Sequence, residues 1–252
     1  MSQPTVSVAV IGAGHAGIEA ALASARLGVE TALFTISLDA IANLPCNPSI
    51  GGTAKGHLVY EIDALGGEMG RAADAVTLQS RTLNLGKGAA VHSKRVQADR
   101  RRYHRYMKAI LEQTPHLHLI QAEITDLLAQ DGRVTGVRTR LGEIFPCSAV
   151  VVAAGTYLES RIFVGDVSFE SGPDGFLPAR GLSASLAALG VRLMRFKTGT
   201  PARIHRKSVD VSRLEAQPGE ASPLPYSYHT PENYLDGTSQ IPCHIEIGRA
   251  HV

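Results

Sequence analysis

An apolar, β-branched run from Val6 to Ile11 gives way, across a glycine-rich turn, to an Ala- and Leu-dense stretch from His15 to Leu27 that Gly28 stops. The run predicts a strand and the dense stretch a helix. Glu30 to Ile36 predicts the next strand, so the order is strand, turn, helix, strand. That is a βαβ unit, whose right-handed crossover sets both strands parallel in one sheet. A Pro- and Gly-rich loop, Asn43 to Gly56, leads into a short helical pattern from His57 to Leu65 before Gly66-Gly67. Val96 to Glu112 predicts a long helix. His118 to Asp126, Arg133 to Thr139 and Glu143 to Phe145 predict short strands around turns at Asp131-Gly132 and Gly142. Val150 to Ala153 predicts a further, buried strand. Beyond Lys197 the composition shifts to Pro, Ser and isolated charges, so residues 198–246 are expected to begin a second, incomplete unit after a first domain over 1–197. No internal repeat is visible.

Composition changes this picture little. The chain has 252 residues, 44% hydrophobic and 19% charged, enough for a substantial core in one large or two modest domains. A formal charge of +2 gives no whole-chain signature of nucleic-acid binding. Cys46, Cys147 and Cys243 lack CxxC or CxxH spacing, which supports neither a zinc site nor a disulfide framework and fits a reducing cytoplasm. No charged-then-apolar leader precedes the first strand. The apolar runs at Val6 to Ile11 and Val150 to Ala154 are far too short to span a bilayer, so no membrane role is expected.

Gly12-Ala13-Gly14-His15-Ala16-Gly17 matches the GxGxxG pattern at the junction of a predicted strand and helix. Gly12 permits the tight turn, Gly14 lets a pyrophosphate approach the backbone, and Gly17 allows close helix-to-strand packing, while helix-terminal N–H groups hold the phosphates. The acid that usually ends the second strand and binds the ribose is missing, since the strand reads Leu33-Phe34-Thr35-Ile36-Ser37. This argues against an ordinary NAD dehydrogenase and leaves Thr35, Ser37 or Asp39 as substitutes.

The most specific feature is the loop Cys46-Asn47-Pro48-Ser49-Ile50-Gly51-Gly52. A cysteine just before a helix start would feel the positive helix end and favour thiolate, making Cys46 a candidate nucleophile, and the glycine pair would admit a flat ring. A small packing cysteine is the alternative. With GAGHAGIEAA at Gly12 to Ala21, VQADR at Val96 to Arg100 and KTGTPARI at Lys197 to Ile204, the chain resembles the MnmG (GidA) family over nearly its whole length.

The resemblance implies an α/β, Rossmann-like FAD-binding domain of the two-dinucleotide-binding-domain flavoprotein type, with the start of an inserted NADH-binding domain. It implies a flavoenzyme that uses FAD, NADH and methylene-tetrahydrofolate to build an aminomethyl or carboxymethylaminomethyl group on carbon five of the tRNA wobble uridine. A homodimer and the GTPase MnmE are the implied partners. Implied cofactor contacts are Gly12, Ala13, Gly14, His15, Ala16 and Gly17, with Asn47, Gly51, Gly52 and Gly155; in Val150 to Thr156 small residues would let the flavin lie against the backbone. Ile124 falls where the strand backbone meets the adenine, and Ala179 stands where relatives often have serine, so a main-chain contact is expected there. The alternatives are a non-catalytic flavin- or tRNA-binding fragment and a related folate-dependent tRNA uracil methyltransferase.

Between Arg81 and Lys108, Arg81, Lys87, Lys94, Arg95, Arg100, Arg101, Arg102, Arg105 and Lys108 face the single acid Asp99. Helical spacing puts Tyr103, Met107, Ile110 and Leu111 on one face and Arg101, Arg105 and Lys108 on another, so these three are candidate tRNA phosphate contacts beside the plainer reading of a solvated face. The resemblance runs through Gln240-Ile241-Pro242-Cys243 and fails at about Glu246. Ile247-Gly248-Arg249-Ala250-His251-Val252 is what ATC GGA AGA GCA CAC GTC encodes, a frame of a common library adapter. Residues 247–252 are therefore expected to be a foreign read-through tail on a truncated and inactive chain.

Overall fold

A computed structural model describes residues 6–245. The expected foreign tail, 247–252, lies outside the described residues. In chain order the elements begin β1 (Val8–Ile11), α1 (His15–Arg26), β2 (Thr31–Thr35), β3 (Ser49–Gly51), α2 (Gly56–Ala64), α3 (Met69–Ala75), β4 (Thr77–Leu83), β5 (Ser93–Ala98) and α4 (Arg100–Gln113). There follow β6 (Leu117–Gln121), β7 (Ile124–Gln130), β8 (Arg133–Thr139), β9 (Ile144–Pro146), β10 (Ala149–Val152), β11 (Arg161–Val164), β12 (Val167–Glu170), α5 (Leu182–Ala188), β13 (Glu215–Gln217) and β14 (Cys243–Ile245). They gather into two compact units, 6–45 with 104–198 and 46–103 with 199–245. The chain passes from the first unit to the second between Thr198 and Gly199, and 46–103 groups with the later segment.

The first unit holds a four-stranded parallel sheet in the order β10-β1-β2-β6. β2 is buried along its whole length, and α1 turns Gly17, Ile18, Ala21, Leu22 and Ala25 inward at the 3.6-residue spacing of an amphipathic helix. A second, antiparallel sheet β7-β8-β9 packs its apolar side into the same core, where Phe34 and Phe145 meet edge to face at 5.0 Å. Two expectations need correction here. The predicted strand His118 to Asp126 is two strands in different sheets: Gln121 ends β6, the Ala122 N–H donates to Thr35 O at 2.9 Å, and Ile124 starts β7. β10 is not buried either. It lies at the sheet edge, with Val151 39% and Val152 38% exposed.

In the second unit β3, β5 and β4 form an antiparallel sheet flanked by α2 and α3. The outer edge of β4 is covered by residues from 217 to 241: Gln79 Nε2 donates to Gln217 O (2.8 Å) and Ile241 O (3.1 Å), and Ser80 N donates to Gln240 Oε1 (2.9 Å). These bonds tie the late segment to 46–103. The helix predicted from Val96 starts at Arg100, because Val96 and Gln97 belong to β5. Asp99 caps it, its Oδ1 accepting the N–H groups of Arg101 and Arg102, both at 3.0 Å.

Candidate functional site

The glycine turn between β1 and α1 is built as its spacing predicts. Gly12 has φ +106°, and a Cβ there would stand 2.3 Å from Ala153 O. A Cβ at Gly17 would stand 1.8 Å from Gly12 O, so this helix turn packs backbone against backbone. Gly14 differs, since a Cβ there would meet nothing within 4 Å. Gly12, Ala13, Gly14, His15 and Ala16 line one wall of a cavity of about 400 Å³ at the carboxyl ends of the parallel strands. α1 has no side-chain cap and no acid in its first turn, which leaves its positive end uncompensated by a carboxylate. Burial lowers the His15 pKa, because desolvation disfavours the charged ring.

Other predicted residues share this cavity. Ile124, Gly155 and Ala179 line it, and Gly155 has φ +55° with open space where a Cβ would project. Gly17 is buried behind the turn. The expected main-chain contact at Ala179 is already used internally: its N–H donates to Tyr157 O at 2.8 Å and its carbonyl accepts Glu159 N at 2.9 Å. Of the three substitutes for the missing acid, Thr35 lines the cavity, but its hydroxyl donates to Ser37 O at 2.9 Å. Ser37 accepts the Asp39 N–H in a local turn, and neither residue is in the wall. Sequence reasoning missed Glu123, which does line the cavity. Its place directly before the Ile124 backbone position was the available signal.

Cys46, Asn47, Gly51 and Gly52 lie in the second unit. α2 begins at Gly56, ten residues beyond Cys46, so this cysteine does not sit at a helix start as expected. The intervening residues form β3, and Cys46 is half-buried, its Sγ donating to Gly199 O at 3.0 Å while Arg203 Nη2 donates to Cys46 O at 2.5 Å. Thus Gly199 to Arg203, within the KTGTPARI motif, packs on the cysteine loop. Gly51 (φ +81°) is required by packing, because a Cβ would stand 1.7 Å from Tyr226 Oη and 2.5 Å from Lys94 O. A Cβ at Gly52 would meet nothing within 4 Å. Asn47 is exposed. Cys147 is buried in the first unit's core, and burial pushes its thiol pKa up.

The basic stretch is not one cationic surface. Lys94 is 7% exposed; its Nζ donates to Leu224 O and lies 4.8 Å from the centre of the Tyr226 ring. Burial brings its pKa down to about 8. Arg81 Nη1 donates to Pro218 O at 2.8 Å. On α4, Arg101 and Arg105 are exposed, whereas Lys108 is half-buried and 3.9 Å from Glu112. Tyr103, Met107 and Leu111 are buried on the opposite face, as the spacing predicts.

A sequence model of the family described as glucose inhibited division protein A matches residues 7–250. The chain belongs to that family. Its match extends beyond the Glu246 limit suggested by the motifs. The chain is 55% identical, over 94% of its length, to the tRNA uridine 5-carboxymethylaminomethyl modification enzyme MnmG of Caldicellulosiruptor saccharolyticus, and spans 38% of that relative. It is 56% identical to the MnmG of Alkaliphilus oremlandii, covering 94% of this chain and 37% of that one. Among solved structures, Aquifex aeolicus GidA superposes with a TM-score of 0.89 at 45% identity, covering 95% of this chain and 40% of that one. The GidA-related protein from Thermus thermophilus gives a TM-score of 0.53 at 29% identity, over 75% of this chain and 70% of that one. The α/β, Rossmann-like fold and the family expected from the motifs both hold. Among the described residues no helix is long and apolar enough to cross a membrane.

Proposed function

We propose that this chain supplies the FAD-holding portion of an enzyme that modifies the wobble uridine of tRNA. The observation that carries the reading is the division of labour among three glycines. Gly12 and Gly17 are locked by packing, whereas Gly14 opens onto the cavity with room for a ligand against its backbone. The uncapped first turn of α1 suits a pyrophosphate, and the small residues Ala153, Ala154 and Gly155 suit a flat ring lying on the chain. These residues fit FAD. When bound, FAD would supply the electron transfer, with NADH as the source of reducing equivalents and methylene-tetrahydrofolate as the source of the carbon added to uridine. The chain's own residues orient that cofactor: Gly14 and the N–H groups of α1 hold the phosphates, and Gly155 lets the ring approach.

The Cys46 thiol, which donates to Gly199 O while Arg203 holds the residue's backbone carbonyl, is the nucleophile toward the uridine on this reading. Arg101 and Arg105, exposed one turn apart on α4, contact tRNA phosphate, with Lys108 a lesser participant because of Glu112. The tRNA uridine substrate is supported by the names of the relatives; a homodimer acting with the GTPase MnmE in the cytoplasm completes the proposal as what the family resemblance implies. Cys46→Ser in the complete open reading frame, expressed with the GTPase, tests it. Loss of wobble-uridine modification with FAD retained is expected. Loss of the flavin together with the thiol would mark a packing cysteine and contradict the assignment.

A further inference from the structure

We infer that Glu123 is the acceptor for the ribose hydroxyls of the dinucleotide's adenosine half, replacing the acid absent from the end of β2. The inference rests on the dinucleotide reading of the cavity. In folds of this kind the ribose acid stands at the carboxyl end of the second strand, where it receives the hydroxyl protons of the sugar. Here that position offers Thr35-Ile36-Ser37, and the Thr35 hydroxyl is spent on Ser37 O. The chain leaving the adjacent strand, β6, crosses this same strand end, because Ala122 N donates to Thr35 O at 2.9 Å. Glu123 is the next residue and, among the described residues, the one carboxylate in the cavity wall.

Its side chain is 14% exposed and held from two sides. Oε1 accepts Arg180 N at 2.7 Å, and Oε2 accepts Arg140 Nη1 at 3.0 Å. The backbone is held as well, since Arg140 N donates to Glu123 O at 2.8 Å. An ionised carboxylate offers about four acceptor positions, so two partners leave about two, the number a vicinal diol requires. The charge is balanced by the exposed Arg140 guanidinium on the solvent side. The acid has moved from the end of one strand to the exit of its neighbour while serving the same place.

Calorimetric titration with FAD and with its 2′-deoxyadenosine analogue, on the unsubstituted protein, Glu123→Ala and Glu123→Gln, tests this. The unsubstituted protein should prefer FAD over the analogue by about tenfold. Glu123→Ala should lose FAD affinity by on the order of ten- to hundredfold and the analogue less, so that the preference collapses; a hydrogen bond to a charged group is of that strength. Glu123→Gln, nearly isosteric, should fall between and decides the matter if the alanine variant does not fold. A preference for FAD that survives in both variants overturns the inference and leaves the dinucleotide reading standing. No binding of FAD by the unsubstituted protein overturns both.

Discussion

Gly17 tolerates no side chain, since a Cβ would stand 1.8 Å from Gly12 O, whereas Gly14 has open space. The two glycines should therefore fail differently. Gly17→Ala is expected to destabilise the protein by about 1–3 kcal/mol, as overpacking does, and to lower the thermal midpoint. Gly14→Ala should change stability by less than about 1 kcal/mol, because its φ of −78° suits any residue, yet weaken FAD binding by about tenfold or more. Paired melting and titration curves check this, and equal loss of stability in both variants would refute the division of roles. The tight packing at Gly17 was legible in the sequence because it is set by Gly12, a few positions earlier in the same motif. Glu123 was marked only by its place before Ile124, since nothing local to it says that its strand exit crosses the end of β2. The surrounding of Cys46 was not legible: its partners Gly199 and Arg203 are remote in sequence, and the nearby helix starts later than expected.

Among the elements, strands read differently from helices. α1 and β2 declared themselves by periodicity and uniform apolarity, because both meet the core along their whole length. β5 did not. Its Lys94 and Arg95 resemble the polar side of a helix, and the remote Tyr226, Leu224, Asp74 and Glu220 together make a buried lysine tolerable there. This burial has a pH signature. Lys94 releases its proton at about 8 in the folded state instead of 10.5, so between those values the unfolded chain binds more protons and stability rises with pH. Tyr60, raised to about 12 from 10.0 chiefly by burial, acts in the opposite sense above pH 10, where the unfolded state loses its proton first. The urea midpoint should accordingly rise from about pH 8 to about pH 10 and then fall. In Lys94→Met the rise should be absent; its persistence would show that the lysine is not the source.

At the scale of the whole molecule, the first unit presents large apolar side chains to solvent, with Phe163 72%, Val164 64%, Met194 69% and Phe196 85% exposed. β10 adds an open edge with exposed valines. Such surface drives association, so this chain on its own should elute as aggregate or oligomer at micromolar concentration, measured by light scattering on a sizing column. A monodisperse monomer with a cooperative melt would contradict that expectation. The family was legible from ordered motifs spread along the chain, whereas the division into units was not, because residues 217–241 return to cover β4 across a long sequence interval. On the proposed function, the cavity beneath Gly12 to Gly17 holds FAD. Titration of FAD into the unsubstituted protein and into Gly14→Val, with folding of both verified by circular dichroism, tests it most directly. One FAD bound per chain, and none by the variant, is the predicted result; no binding by either, or equal binding by both, would contradict it.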